Sequence, residues 1–323
     1  MGPEEAAARP TSVTSMMLPL RRCLGAAAVL ALLAVAGCNE AEPASNTTEP
    51  TAEEPSESEP SASPSEPSST ATESEAPTEP SASGTVVPLY WATDSGAGPR
   101  LVREFRRVDG NPLTEAARLV MGGGQPDDPD YRTLWPLVDV ESVQATDGVL
   151  LVQVGGDGFT DRPDGMRRRE AQLALQQLVY TLQGVQQERV PVQVQRSGPP
   201  YTLLGLPTDV AFTQASPLRT LNLVNITSPE EGASVSGDTL TVTGVANSFE
   251  ASGPCRLLVG DREIAVEPYQ LDGWAEDKLY PFEVELPLAG VSGEAVVRCE
   301  TDDPTGGTEG FGPFVDTKTI TVD

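Results

Sequence analysis

Residues 39–84 set the first limit on what this chain can fold into, because they are almost entirely Glu, Ser, Pro, Thr and Ala. They hold no basic residue and no aromatic one. A segment like this cannot bury enough apolar surface to offset the entropy of ordering it, so disorder is expected. At about 46 residues it spans roughly 35–40 Å as a flexible coil, and its prolines and mutually repelling carboxylates lengthen it. An acidic recruitment tail is the other use of such a composition. Folded structure is expected only beyond it.

Upstream, Arg21 and Arg22 precede an apolar run of about 14 residues that ends in Val35-Ala36-Gly37-Cys38. That order of charge, short apolar stretch and small residues is an export signal. The run falls short of the roughly 20 residues that a spanning helix needs. A cysteine directly after the small residues resembles the lipobox of bacterial lipoproteins. The resemblance implies that residues 1–37 are removed and that the Cys38 sulfur carries a diacylglycerol. The chain is then held by this lipid anchor on the extracytoplasmic face of the cell membrane, with residues 38–84 as a stalk. Met16 or Met17 gives such a signal a more ordinary start than Met1 does.

The formal charge of −27 argues against nucleic acid or an anionic membrane surface as partner. The chain contains no histidine. Nucleophilic systems built on an imidazole base are thereby excluded. A zinc site is left with carboxylate or cysteine ligands alone. What survives is carboxylate-pair chemistry of the glycosidase kind, or no catalysis. Asp157 and Asp161, around the Gly155–Gly158 loop, are the acidic candidates, with nothing to set them across from one another. The expectation is therefore a protein that is not an enzyme and uses no cofactor.

With Cys23 in the signal and Cys38 lipidated, Cys255 and Cys299 remain as an even pair in an oxidising compartment, and a disulfide is expected. Asn46-Thr47-Thr48 and Asn225-Ile226-Thr227 match the glycosylation sequon, which a bacterial lipoprotein seldom uses.

Residues 85–215 read as an α+β domain. Thr85–Trp91 and Leu101–Val108 form a hairpin across a turn-rich link. A helix opens at Asn111-Pro112, with Leu113, Ala116, Ala117 and Val120 at helical spacing, and Gly122–Gly124 stops it. Those glycines follow a helix and lack a Lys-Ser/Thr ending, so they do not read as a phosphate loop. Strands at Val138–Thr146 and Val149–Val154 flank Asp147-Gly148, a hairpin turn signal. Arg167–Leu182 carries an apolar stripe, Ala171, Leu175, Leu178, Val179 and Leu182. Its opening triplet Arg167-Arg168-Arg169 places cations where the helix dipole disfavours them. A strand at Val190–Val194 closes the domain, and an irregular Pro/Gly-rich segment follows it.

Leu101-Val102-Arg103-Glu104, Trp135-Pro136 and Gln177-Leu178-Val179-Tyr180-Thr181-Leu182 occur in an order that resembles the GerMN domain of sporulation and spore germination. The family usually has a Gly-Pro after the first helix, where this chain has Gly122-Gly123-Gly124-Gln125-Pro126. From residue 220 to 323 helical periodicity disappears and seven short strands separated by turns suggest a sandwich. Ile226-Thr227-Ser228-Pro229 leading to Leu240–Ala246, and Gly273-Trp274 before a strand, resemble the immunoglobulin-like domain of bacterial spore germination. On that layout a Cys255–Cys299 bond ties two strands of one sheet. The loop Asp302–Gly310 is acidic and reads as a solvated turn or a weak cation site. The two resemblances imply an envelope protein that mediates protein–protein or cell-wall contacts, associated with sporulation or germination. The alternative is a carboxylate-dependent cell-wall hydrolase or a sugar-binding lipoprotein.

Overall fold

A long hairpin opens the folded part: β1 (Thr85–Ser95) pairs antiparallel with β2 (Gly98–Val108), from Thr85 opposite Val108 to Ser95 opposite Gly98. The computed structural model describes residues 84–156, 160–196, 199, 201–306 and 308–323, all within one compact unit. The expectations placed on Cys38, on the signal and on residues 38–83 lie outside the described residues.

Helix α1 (Pro112–Met121) begins where Asn111 accepts the Thr114 backbone N–H at 3.0 Å, with Pro112 supplying the fixed φ of the first turn. Its buried face is the one set out by Leu113, Ala116, Ala117 and Val120. Strands β3 (Val140–Thr146) and β4 (Val149–Val154) are joined by Asp147 and Gly148, whose φ values of 48° and 74° suit a primed turn. Helix α2 (Arg168–Gln186) continues past the expected end at Leu182. In that added turn a Cβ on Gly184 would stand 2.8 Å from Pro88 Cγ, so glycine lets the helix lie close on β1. Strand β5 (Val192–Arg196) joins β4 in parallel, giving a three-stranded mixed sheet in the order β3-β4-β5. The two helices and both sheets enclose a core that includes Leu89, Trp91, Leu150, Val152, Leu178 and Leu182. The segment expected to be irregular instead holds a two-rung hairpin, β6 (Thr202–Leu203) with β7 (Leu206–Pro207), and a single turn of helix, α3 (Pro217–Thr220).

The remainder is all β. The strands are β8 (Val224–Ser228), β9 (Ala233–Val235), β10 (Thr239–Ala246), β11 (Ser252–Val259), β12 (Arg262–Gln270), β13 (Tyr280–Pro287), β14 (Gly293–Glu300) and β15 (Val315–Val322). They form a three-stranded sheet, β13-β10-β8, and a five-stranded one, β12-β11-β14-β15-β9. Alternation is clear in β13, where Tyr280, Phe282, Val284 and Leu286 are buried and the residues between them exposed. Tyr269 stacks on Phe282 between the sheets, ring centroids 4.5 Å apart. Cys255 and Cys299 lie directly opposite in the β11–β14 ladder and are bonded, a staple within one sheet. The exposed edge strand β12 carries Arg262, Glu263, Glu267 and Pro268, residues that discourage a further strand from pairing. The architecture is an α+β domain followed by a β-sandwich.

Candidate functional site

The two domains meet along β2. Leu101 bridges Leu221 in parallel, and the Asn222 N–H donates to the Leu101 carbonyl at 2.7 Å. Arg103 N–H donates to Asn225 Oδ1 at 3.1 Å, and Arg100 reaches the Leu218 carbonyl at 3.0 Å. Beneath these bonds Ala92, Leu101, Tyr180 and Leu221 form a small apolar cluster. This seam joins strand to strand, so the two domains are not beads on a linker.

One flank of the seam is a buried polar network. Lys318 of β15 donates from Nζ to Asp128 Oδ2 at 2.5 Å and to the Tyr131 hydroxyl oxygen at 2.8 Å. Tyr131 in turn donates to Asp316 Oδ1 at 2.5 Å. The other Asp316 oxygen accepts the Ile226 N–H at 2.6 Å and Asn225 Nδ2 at 3.2 Å. The Lys318 and Asp128 side chains are 4% and 2% exposed, so neither charge has water to fall back on. Burial pushes the Asp316 carboxyl up, against the opposing pull of Lys318 and Tyr131. The Tyr131 hydroxyl is pushed well up by burial, then by the charges of Asp316 and Asp128. Glu104 closes the group by accepting the backbone N–H groups of Asp127 and Asp128 at 3.1 and 2.8 Å. Every partner here is satisfied, as a buried charge demands.

The other flank is a groove of about 360 Å³ whose walls include Tyr90, Arg103, Tyr180, Gln183, Asn222 and Lys278. The Tyr90 and Tyr180 rings lie 5.2 Å apart at a tilt of 51°. Burial raises Tyr180 to about 12. Gln183 and Asn222 are 7% and 1% exposed, and their side-chain carbonyl oxygens find no donor among the described residues. The groove suits non-covalent binding of a polar ligand over an aromatic floor.

The residues singled out from sequence lie elsewhere. Asp157 falls outside the described residues, and Asp161 is exposed on the loop before α2. Gly122 and Gly123 stop α1, as expected, and Gly122 N–H donates back to the Arg118 carbonyl at 2.6 Å. In the acidic loop Asp303 takes the Thr305 N–H at 3.0 Å and its hydroxyl at 2.7 Å, a local turn. Among the described residues no group of three acidic or cysteine side chains is placed to hold a metal. Nor is any helix there long and apolar enough to cross a membrane. Asn225, the acceptor of the second sequon, is buried in the seam and closed to a glycan. Sequence reasoning missed the seam altogether: Asp128 and Lys318 are 190 positions apart and each reads alone as a solvated charge.

Residues 88–202 match the family described as sporulation and spore germination, and residues 223–308 match the immunoglobulin-like domain of bacterial spore germination. The chain pairs these two germination domains. Among solved structures it is similar to the tandem GerMN domains of the sporulation protein GerM from Bacillus subtilis, at 18% identity and a TM-score of 0.32. That match covers 64% of this chain, which spans 61% of the length of the GerM structure. It is also similar to a putative lipoprotein from Clostridium perfringens, at 14% identity and a TM-score of 0.26, over 40% of this chain and 87% of that one. None of the curated proteins matches. In these terms the seam lies between the germination domain and the immunoglobulin-like domain, and β15, beyond the matched span of the latter, supplies Asp316 and Lys318 to it.

Proposed function

We propose that this chain is a non-enzymatic envelope protein, tethered through a lipid on Cys38, whose two germination domains act as one rigid body for protein–protein or cell-wall contacts. The observation that carries this reading is the seam. A charge-paired junction that spends a Lys–Asp pair on holding two domains fixed supports a role in presenting a composite surface. The short apolar run ending at Cys38 supports the tether, and the pairing of the two domains supports an association with sporulation or germination assemblies.

The test is made in cells. Feeding an alkyne fatty acid should label the wild-type chain, and the label should vanish in Cys38→Ser. Photo-crosslinking from positions on the folded part should then recover an envelope protein or wall fragments. An unlabelled chain with its leader attached overturns the tether, and a clean crosslink blank overturns the contact role. A saccharide-binding reading draws support from one observation, the aromatic floor of Tyr90 and Tyr180 in the seam groove. It predicts that soluble wall fragments quench tyrosine fluorescence in the wild type and fail to do so in Tyr90→Ala.

A further inference from the structure

The arginine triplet that opens α2 has no role in the seam. Arg167 sits at the N-cap, where it cannot accept a hydrogen bond from the helix, and Glu170 serves it instead. Glu170 takes the Arg167 backbone N–H at 2.8 Å and its guanidinium at 2.9 Å. That carboxylate is thereby committed. Arg168 and Arg169, the first two helical residues, are exposed and form no ion pair among the described residues. Both stand where the helix dipole repels a cation, at a cost of roughly 0.3–1 kcal/mol each.

Further positive charge converges on the same place. Arg219, on α3, faces Arg169 across a groove of about 420 Å³ whose walls also hold Leu173, Leu206, Phe212 and Pro99. Half-buried Arg100 lies beside it, its guanidinium pulled below the usual range by burial and by the charge of Arg169. Asp277, whose carboxyl feels the charge of Arg219, already accepts the Leu218 N–H at 3.0 Å and the Ser216 hydroxyl at 2.8 Å. In a chain of net charge −27, three like charges are therefore gathered at an apolar recess whose walls, among the described residues, hold no carboxylate.

We infer that this groove docks an acidic peptide segment of a partner protein, with one apolar side chain in the recess and its carboxylates turned to Arg169 and Arg219. The inference rests on the contact role proposed above and gives it a place and a chemistry. Charge complementarity selects the flanking residues, since guanidinium groups bind carboxylates in two-point fashion. The concave apolar wall selects a peptide over a membrane: a flat headgroup layer reaches exposed cations but leaves the half-buried Leu173 and Phe212 with nothing further to bury against.

The experiment uses the full-length protein in detergent and a fluorescein-labelled peptide of glutamates around one central leucine, read by anisotropy. Saturable binding is expected. It should weaken about tenfold or more in Arg169→Glu/Arg219→Glu and with a peptide whose leucine is replaced by serine, while Arg262→Glu on the far sheet edge has no effect. Should the double charge reversal unfold the chain, Arg168→Gln/Arg169→Gln, both on exposed positions, must show the same direction of loss. No saturable binding, or binding indifferent to these changes, overturns the inference. So does arginine-dependent capture by phosphatidylglycerol vesicles with no response to the peptide. Crosslinking in cells separates the two levels: partners still captured by the arginine variants leave the contact role standing and remove only this groove from it.

Discussion

Two clusters of charge among the described residues are treated in opposite ways. At the seam, Lys318, Asp128, Asp316 and Tyr131 are buried and each is answered by a neighbour within hydrogen-bonding distance. At the start of α2, Arg168 and Arg169 are exposed, without an ion pair among the described residues, and set against the helix dipole. A charge removed from water must be paired within the fold, whereas a charge left in water carries no such demand. The seam is therefore a structural device. The arginines add nothing to the fold and are free to meet something outside it.

The largest way to break the comparison is Lys318→Met. It strands Asp128 in a dry site and removes the donor to Tyr131, so the folded state should lose about 3–5 kcal/mol. Urea unfolding would read this directly, and a loss below about 1 kcal/mol would mean that the seam charges reach water after all. Next comes Cys255→Ala/Cys299→Ala. The bond closes a loop of sequence separation 44, and its removal should cost about 2–4 kcal/mol, as measured by thermal unfolding with and without reductant. This staple lies inside one domain, so its loss should leave α2 and the germination core protected from hydrogen exchange while the sandwich opens.

Alkali probes the seam again. Tyr180 is raised from 10.0 to about 12, and Tyr131 is raised as well. Their protons are held more tightly in the folded chain than in the unfolded one, so stability is whole below pH 10 and falls as pH rises from 10 through about 12. Absorbance at 295 nm should show these tyrosines ionising only as the far-ultraviolet signal is lost; ionisation well before unfolding would show that the seam admits water. The smallest effect sharpens the other side of the comparison. Arg169→Glu replaces an unfavourable cation in the first turn with a favourable anion and should raise stability by about 0.3–1 kcal/mol. A destabilised variant would show that Arg169 is needed for folding and would close the gap between the two regions.

Local patterns made much of the fold readable in advance. Thr239–Ala246 and Val315–Val322 alternate because one face of each is buried, and Asp147-Gly148 announces its turn through the backbone angles it requires. Strand β9 was not readable, because three residues that pair in parallel with a strand 87 positions away leave no local signature. The overrun of α2 past Leu182 was hidden for a similar reason, since the close approach of Gly184 to Pro88 on β1 leaves no local signature. The candidate site divides along the same line. The arginine triplet stood out by breaking a local electrostatic rule, and the structure leaves it solvent-facing. The seam breaks no local rule, and its members become unusual only when the fold removes them from water.

The strand that locks the seam also fixes an order of events. Asp128 and Tyr131 leave the ribosome well before β15, whose Asp316 lies 185 positions after Tyr131. At about 5–20 residues per second, the germination domain waits roughly ten to forty seconds with its half of the network unmet. Throughout that interval a tyrosine hydroxyl and an aspartate are hydrated groups on an unfinished surface. They turn into interior atoms only when Asp316 and Lys318 arrive, so a nascent chain halted before them carries a sandwich without an inner strand and a seam with no lock.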